Sequence, residues 1–194
     1  MKSLSPIQSH QVFISYRGEQ LGYSFVSHLV EAFKQHRIKF FLDKYELRGE
    51  DLKIIFKRIK ESRIALVIFS TRYPESKWCL NELEKMKKLS DKKKLVVIPI
   101  FYKVEAEHVN EQKGEFGENF WTLAKKSSGD KIKKWKEALE AISEKMGLSL
   151  GDEISEADFV KKIVKTVQRV LEAVGLEEEE KRFRGLSFFR RSKL

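Results

Sequence analysis

Four short apolar runs separated by amphipathic helical segments constrain the fold more than any other feature of the sequence. Between the first two runs, Leu21, Phe25, Leu29 and Phe33 recur at helical spacing. Strands that alternate with helices predict a parallel sheet covered on both faces, so the predicted class is α/β. The runs are VFISY (12–16), IKFFLD (38–43), RIALVIFS (63–70) and KLVVIPIFY (94–102).

The later part of the chain gives weaker strand signals. Pro99 interrupts the fourth run, and because proline cannot donate to a ladder we place that strand near an edge or expect a local irregularity there. GLSL (147–150) is a weak candidate for a further strand, so we expect four or five strands. The segments GEFGENFWTLAKK and KIKKWKEALEAISEKMG are predicted to be helical.

The length predicts one domain with an extension. A chain of 194 residues fits a domain of ordinary size. We expect a flexible N-terminus over residues 1–9, the domain over 10–150 and a helical extension over 151–176, where apolar residues recur at helical spacing. Residues 177–194 change from acidic to basic and are expected to form a disordered tail.

Composition excludes several classes of site. The only cysteine, Cys79, excludes an internal disulfide and a cysteine-rich zinc site, and the four histidines lack metal-ligand spacing. We therefore expect no metal. The N-terminus has no apolar signal region and the apolar runs are too short to span a bilayer, which predicts no transmembrane segment and a cytoplasmic or nuclear protein.

The charge favours anionic partners without choosing among them. A net charge of +10 suits nucleic acid, acidic lipid, phosphorylated ligands or an acidic protein face. The final KRFRGLSFFRRSKL interleaves basic residues with phenylalanines, and we expect it to attach to nucleic acid or to a nuclear import receptor.

The stretch SKWCLNELEKM (76–86) predicts a helix that begins near Lys77 with Ser76 as its N-cap. Trp78 and Glu82 are then one turn apart on one face, and Cys79 lies on its flank. Considered alone, such a glutamate is usually solvated and a lone cysteine is usually a small core residue.

The predicted topology favours a functional role for Glu82. In an open parallel sheet, ligands bind outside the carboxyl ends of the strands, where the strand order reverses. The loop after the first strand, with Arg17 and Gly18, and the loop over 43–50 emerge there, and we expect Glu82 to be an exposed carboxylate at this rim. The sequence has no P-loop, no Rossmann glycine motif and no GxSxG elbow, which disfavours phosphoryl transfer and serine hydrolysis.

Five segments, in this order and spacing, closely resemble the TIR (Toll/interleukin-1 receptor) domain of plant immune receptors and plant TIR-only proteins. The resemblance covers about residues 10–150 and implies a flavodoxin-like fold. In many plant members it also implies self-association that switches on cleavage of NAD⁺ into nicotinamide and ADP-ribose derivatives, some of them cyclic, and so promotes immune signalling and cell death. NAD⁺ is then a substrate, and no cofactor is implied. The segments are FISYRG, FLDKYELRGEDL, ALVIFS, ESKWCLNELEKM and VVIPIFYKVEAEHV.

The resemblance assigns roles to individual residues. Glu82 matches the family's catalytic glutamate, and Cys79 matches a position tied in some members to a nucleic-acid-dependent cyclic-nucleotide synthetase activity. The predicted nucleotide cleft comprises Ser15, Tyr16, Arg17, Gly18, Leu47, Gly49, Ser70, Trp78 and Cys79, of which Leu47 and Gly49 belong to the loop over 43–50 that gates it. Contacts between protomers and with other TIR domains are implied for Ser27, His28 and Gly147.

Three departures from the family pattern bear on activity. Gln20 and Gly22 stand where many plant members have a GxDxR continuation, and Lys44 replaces the usual second acidic residue of the gating loop. Two alternatives to an NAD⁺ glycohydrolase therefore stay open. They are a non-catalytic adaptor that pairs with other TIR domains, and a nucleic-acid-binding protein with 2′,3′-cyclic nucleotide synthetase activity.

Overall fold

A computed structural model of the chain describes residues 12–42 and 52–191, and its strands confirm the predicted parallel sheet. The strands are β1 (Val12–Ser15), β2 (Phe40–Leu42), β3 (Ile64–Phe69), β4 (Val96–Tyr102) and β5 (Leu148–Leu150). The helices are α1 (Glu19–Leu21), α2 (Ser27–Gln35), α3 (Leu52–Glu61), α4 (Lys77–Asp91), α5 (Ala106–Glu111), α6 (Gly114–Ala124), α7 (Gly129–Ser143) and α8 (Glu156–Arg191). The predicted flexible N-terminus (1–9) and the predicted gating loop (43–50) lie outside the described residues.

The sheet has the order β2-β1-β3-β4-β5, and every pair of neighbours is parallel. One apolar cluster packs α3 to α7 on one face, and a second packs the α1–α2 stretch and α8 on the other. This order confirms the predicted α/β class with helices on both faces. The chain places β2 on one side of β1 and β3 on the other, so the direction of the strand order reverses at β1. The switch point of the topology therefore lies at the carboxyl end of β1.

The fourth strand lies next to the edge of the sheet, as its proline predicts. Pro99 is paired with Val67 of β3, whereas pairing with the three-residue edge strand β5 begins at Ile100. Gly147 allows the chain to pass close to β4, since a Cβ there would lie 2.2 Å from the backbone oxygen of Pro99. The predicted role of Gly147 in a protomer interface stays a prediction.

The first helical region is less regular than the single helix predicted from periodicity. A π-helical turn over Gly22–Val26 joins α1 to α2. Gly22 faces the ring of Tyr16, and a Cβ there would lie 2.9 Å from the Tyr16 hydroxyl oxygen. Gly22, one of the positions that depart from the family pattern, therefore leaves room for the Tyr16 ring.

The last helix extends further than the sequence predicts. Residues 177–191, predicted as a disordered tail, are helical in the structure as the continuation of α8. An ion pair of 2.7 Å between Arg63 and Glu178 ties this part of α8 to the start of β3. At its other end α8 is anchored by a hydrogen bond from the Tyr102 hydroxyl to Glu156, and burial together with that bond raises the pKa of Tyr102 to about 12. Among the described residues, no helix is both long and apolar enough to cross a membrane.

Candidate functional site at the carboxyl end of β1

The site is built where β1 ends and α4 begins. Ser76 caps α4, since its Oγ accepts a hydrogen bond of 3.1 Å from the backbone nitrogen of Cys79, which confirms the predicted cap and the start at Lys77. The second turn of α4 then places Glu82 against Ser15, the last residue of β1. The candidate carboxylate therefore lies at the switch point.

Glu82 is buried, so the expectation of an exposed rim carboxylate is wrong. Glu82 is only 1% exposed, and Ser15 Oγ donates a hydrogen bond of 2.8 Å to Glu82 Oε2. The physical reason is that the face of α4 that carries Glu82 turns toward the sheet and not toward solvent. A carboxylate this deep is held in one position by its neighbours, which a solvated surface glutamate is not.

Tyr73, which the sequence analysis did not identify, completes the hydrogen-bond network. Its hydroxyl oxygen lies 2.9 Å from Ser15 Oγ and 3.3 Å from the carbonyl oxygen of Cys79. Tyr73 is fully buried in the 3₁₀ turn Tyr73–Glu75 that precedes α4. The sequence did offer one signal, a tyrosine next to a proline in the short turn before the helix cap. If such a tyrosine is buried, its hydroxyl needs a polar partner, which would have pointed to a hydrogen-bond network here.

Hydrogen bonds and an ion pair connect the opposite side of α4 to α7. Trp135 Nε1 donates a hydrogen bond of 3.1 Å to Asn81 Oδ1. Glu84 accepts bonds of 2.6 Å from Lys88 and 3.1 Å from Lys131. Burial alone would raise the pKa of the Glu84 carboxyl, but the hydrogen bonds and charges of the two lysines outweigh it and leave that pKa below its usual value. These contacts flank Glu82 in sequence and fix the helix that carries it.

Cys79 and Trp78 lie beside the network in different environments. Cys79 is buried in the apolar core, and its Sγ donates to the backbone oxygen of Tyr16 at 3.6 Å. Trp78 is half-buried and packs against the same core cluster. Cys79 is thus buried while Trp78 keeps part of its surface toward solvent, and the predicted places of both in the nucleotide cleft stay predictions.

The remaining predicted cleft residues are distributed around this point. Arg17 is half-buried two residues after the end of β1, and Gly18 follows with a φ of 99° that favours glycine. Ser70 follows β3, and its backbone oxygen accepts a hydrogen bond of 3.0 Å from Tyr73. Leu47 and Gly49 lie outside the described residues.

The two predicted interface residues on α2 are exposed, as expected for surface or interface positions. Ser27 Oγ donates to the backbone oxygen of Ser24 at 2.7 Å and of Tyr23 at 3.0 Å. His28 lines a groove of about 820 Å³ between α2 and α8, together with Val160 and Val164. Among residues 12–42 and 52–191, no three acidic, histidine or cysteine side chains are grouped closely enough to hold a metal ion.

The fold and the site together define a doubly wound α/β domain with one buried carboxylate at its switch point. A family model described as "TIR domain" matches residues 9–187. The chain therefore belongs to the TIR domain family, and the match continues past residue 150, where the sequence analysis placed the end of the domain.

Relatives and solved structures agree with this assignment. The chain is 53% identical over 184 residues to the disease resistance protein RBA1 of Arabidopsis thaliana. The aligned region covers 93% of this chain and 51% of RBA1. It thus spans about half the length of that relative. The TIR domains of the activated Roq1 resistosome, which recognizes the pathogen effector XopQ, match with a TM-score of 0.74 and 36% identity over 82% of this chain and 99% of that one.

A heterodimer of the RPS4 and RRS1 TIR domains has the same fold. It matches with a TM-score of 0.52 and 18% identity, covering 82% of this chain and 96% of the other. At this identity the likeness concerns the fold alone.

Proposed function

We propose that this protein is an NAD⁺ glycohydrolase of plant immunity that cleaves NAD⁺ into nicotinamide and ADP-ribose derivatives. The observation that carries the proposal is the Glu82 carboxylate, buried at the switch point and fixed through Oε2 by Ser15. Membership of a family whose similar relatives include a disease resistance protein supports the immune setting.

A single carboxylate suits this reaction. Glycoside hydrolysis normally needs two, because the leaving oxygen takes a proton while the sugar cation needs a negative charge. Nicotinamide instead leaves a cationic pyridinium as a neutral molecule, so no general acid is required. Glu82 then stabilises the developing oxocarbenium ion or binds the ribose hydroxyls. By analogy with other pre-placed electrostatic groups, its charge supplies roughly 3–4 kcal/mol, or about 10²–10³ in rate.

The network around Glu82 gives that charge a fixed position. Ser15 holds one carboxylate oxygen, Tyr73 holds Ser15, and the bonds from α7 to Asn81 and Glu84 hold the helix. Because these groups are in place before substrate binds, little reorganisation is needed as charge develops. Trp78, half-buried beside them, offers an aromatic wall for the nucleotide.

We also propose that self-association promotes this activity. Ser27 and His28 are exposed on α2, and the groove between α2 and α8 gives a neighbouring copy an apolar surface to contact. The activated Roq1 resistosome and the RPS4–RRS1 heterodimer are assemblies that contain TIR domains of the same fold, which supports such a contact.

The direct experiment is to incubate the purified chain with NAD⁺ at increasing protein concentration and to measure nicotinamide release. We expect turnover per molecule to rise with concentration, and Ser27→Ala with His28→Ala to lower both association and turnover. Tyr23→Phe, at an exposed position of the same region, serves as the control.

Two outcomes would contradict the proposal. The absence of nicotinamide release at all concentrations, with self-association intact, would favour the non-catalytic adaptor. Full activity of a dilute monomer that is indifferent to both substitutions would retain the hydrolase and remove the role of assembly.

A further inference from the structure

The amino edge of the sheet, opposite the candidate site, collects basic residues that are far apart in the sequence. Because all five strands are parallel, the segments that lead into β2, β3, β4 and β5 lie at the same edge. We define the amino edge as residues 36–39, 60–63, 91–95 and 144–147. Its basic side chains are Arg37, Lys39, Lys60, Arg63, Lys92, Lys93, Lys94 and Lys145.

A single groove shows that the central part of this edge is continuous. Its volume is about 1120 Å³, and one wall is α8. The opposite wall is formed by Lys60, Arg63, Lys93, Lys94 and Lys145. Residues from three separate loops therefore meet in one surface, a juxtaposition that the linear sequence does not reveal.

Five acidic residues lie in or beside the edge: Glu61, Asp91 and Glu144 in its segments, and Glu177 and Glu178 on the α8 wall of the groove, where Glu178 pairs with Arg63 of the edge. Glu61 pairs with Lys57 and Arg58, and Asp91 pairs with Lys87. Within the described part of the chain, no ion pair within 4 Å involves Lys60, Lys92, Lys93, Lys94 or Lys145. These five charges are available to an external anion.

Repulsion among neighbouring lysines affects the pKa of a lysine beside the edge. The pKa of Lys85 on α4 is lowered first by burial and then by the charges of Lys60, Lys88 and Lys92. Like charges at this density raise the energy of the free protein, and a negatively charged surface would relieve it.

Exposed apolar groups lie among these charges. Met146, next to Lys145, is 96% exposed, and Val96 at the start of β4 is 38% exposed. Both line the same groove as the lysines. A methionine projecting into water from a basic surface gains nothing from a purely ionic partner, but it gains from a partner that offers an apolar layer behind its charges.

We propose that the amino edge is a docking surface for an anionic lipid bilayer, with the lysines against acidic headgroups and with Met146 and Val96 at the interface. The combination of basic and apolar groups is the one that peripheral membrane binding uses. Single-stranded nucleic acid suits this surface less well, because the four segments contain no phenylalanine, tyrosine or tryptophan on which bases could stack. Duplex DNA would meet the lysines with its phosphates but would offer no apolar layer to Met146 and Val96. In this orientation the carboxyl edge with Glu82 faces away from the bilayer, so docking and NAD⁺ cleavage are compatible.

The test is co-sedimentation of the full chain with vesicles of phosphatidylcholine alone or with phosphatidylserine added. We expect salt-sensitive binding to the second kind only. The triple variant K92E/K94E/K145E should bind at least about 100-fold more weakly, since each basic residue contributes about fivefold in partitioning at an anionic surface. The matched control K125E/K126E/K133E reverses three other lysines outside the edge and should stay within about fivefold of wild type.

Two further variants separate the parts of the surface. K92Q/K94Q/K145Q removes the three charges without reversing them and should weaken vesicle binding about 100-fold, at a contribution of about fivefold from each. Circular dichroism checks that each variant is folded. Met146→Gln should reduce binding about threefold to tenfold while leaving the salt dependence unchanged, because it removes only apolar contact.

Three results would overturn the proposal. The first is no binding to phosphatidylserine vesicles at low salt. The second is an equal loss in the edge variant and the matched control, which would reduce the effect to net charge. The third is an edge variant that retains vesicle binding but loses binding to duplex DNA, which would make the amino edge a nucleic-acid surface.

Discussion

The two ends of the sheet use polar side chains in opposite ways. At the carboxyl edge, Ser15, Tyr73 and Glu82 are buried and hydrogen-bonded in one network. At the amino edge, Lys92 and Lys94 are exposed and have no ion pair among the described residues. Polar groups of the first kind are held by the fold and contribute to its stability, whereas groups of the second kind can change with little effect on folding. Substitutions at the two ends should therefore separate stability and turnover from surface binding.

The largest effect on stability is expected from Ser15→Ala. The change leaves the buried Glu82 carboxylate without the donor at 2.8 Å, which should lower the free energy of unfolding by about 1–3 kcal/mol. Turnover of NAD⁺ should also fall because the carboxylate is no longer fixed. Denaturant unfolding measures the first effect, and Ser149→Ala at an exposed position of β5 is the control. An unfolding free energy unchanged from wild type would mean that the network is not a structural element.

A smaller effect is expected from Tyr73→Phe. The variant keeps the buried ring but removes the hydroxyl that contacts Ser15 and Cys79, which should cost about 1 kcal/mol. We expect kcat to fall with KM nearly unchanged, since Tyr73 acts through Ser15 and not on the substrate. Steady-state kinetics provides the check, with Tyr23→Phe as the exposed control. A rise in KM alone would instead place Tyr73 in substrate binding.

Glu84→Gln should give a pH-dependent loss of similar or smaller size. Because the folded-state pKa of Glu84 is lowered, its contribution is present above the ordinary carboxyl pKa and is lost as the pH falls through the folded value. The variant should thus be about 1 kcal/mol less stable than wild type at neutral pH, and the difference should disappear in acid. Urea unfolding across this pH range is the measurement, with Glu118→Gln as an exposed control. A difference independent of pH would rule out the ion pairs as its source.

The smallest effect is expected at the amino edge. K92E/K94E/K145E should change the free energy of unfolding by less than about 0.5 kcal/mol and leave nicotinamide release at the wild-type rate. Thermal melting and the NAD⁺ assay test both statements. Loss of turnover in this variant would show that the amino edge and the carboxyl edge of the sheet are energetically coupled.

The strand segments and the parallel type of the sheet were predictable because their signal is local. VFIS, IALVIF and VVIPIFY are apolar runs that only a covered sheet can bury, and the paired helices follow from periodicity. The strand β5 was uncertain because three residues carry little pattern, and the close approach of Gly147 to Pro99 is a tertiary contact that the sequence does not show. The continuation of α8 past residue 177 was missed because the change of charge there resembles that of a tail, although Glu178 finds Arg63 in space.

The site could be predicted only in part, for the same reason. The position of Glu82 on its helix follows from the Ser76 cap, but its depth depends on how closely α4 approaches the end of β1. Tyr73 has no motif of its own, and its role appears only when β1 and α4 are brought together. The sequence likewise does not show that the lysines of the amino edge lie close together, because they belong to four separate segments.

The measurement that bears most directly on this account is nicotinamide release by Glu82→Gln. The change keeps the shape of the side chain and an oxygen that can accept the bond from Ser15, but it removes the negative charge, so it separates charge from packing in a way that alanine at a buried position would not. We expect a folded protein that self-associates like wild type and releases nicotinamide at least about 10²-fold more slowly. Turnover at the wild-type rate by this variant would contradict the assignment of Glu82 as the catalytic residue.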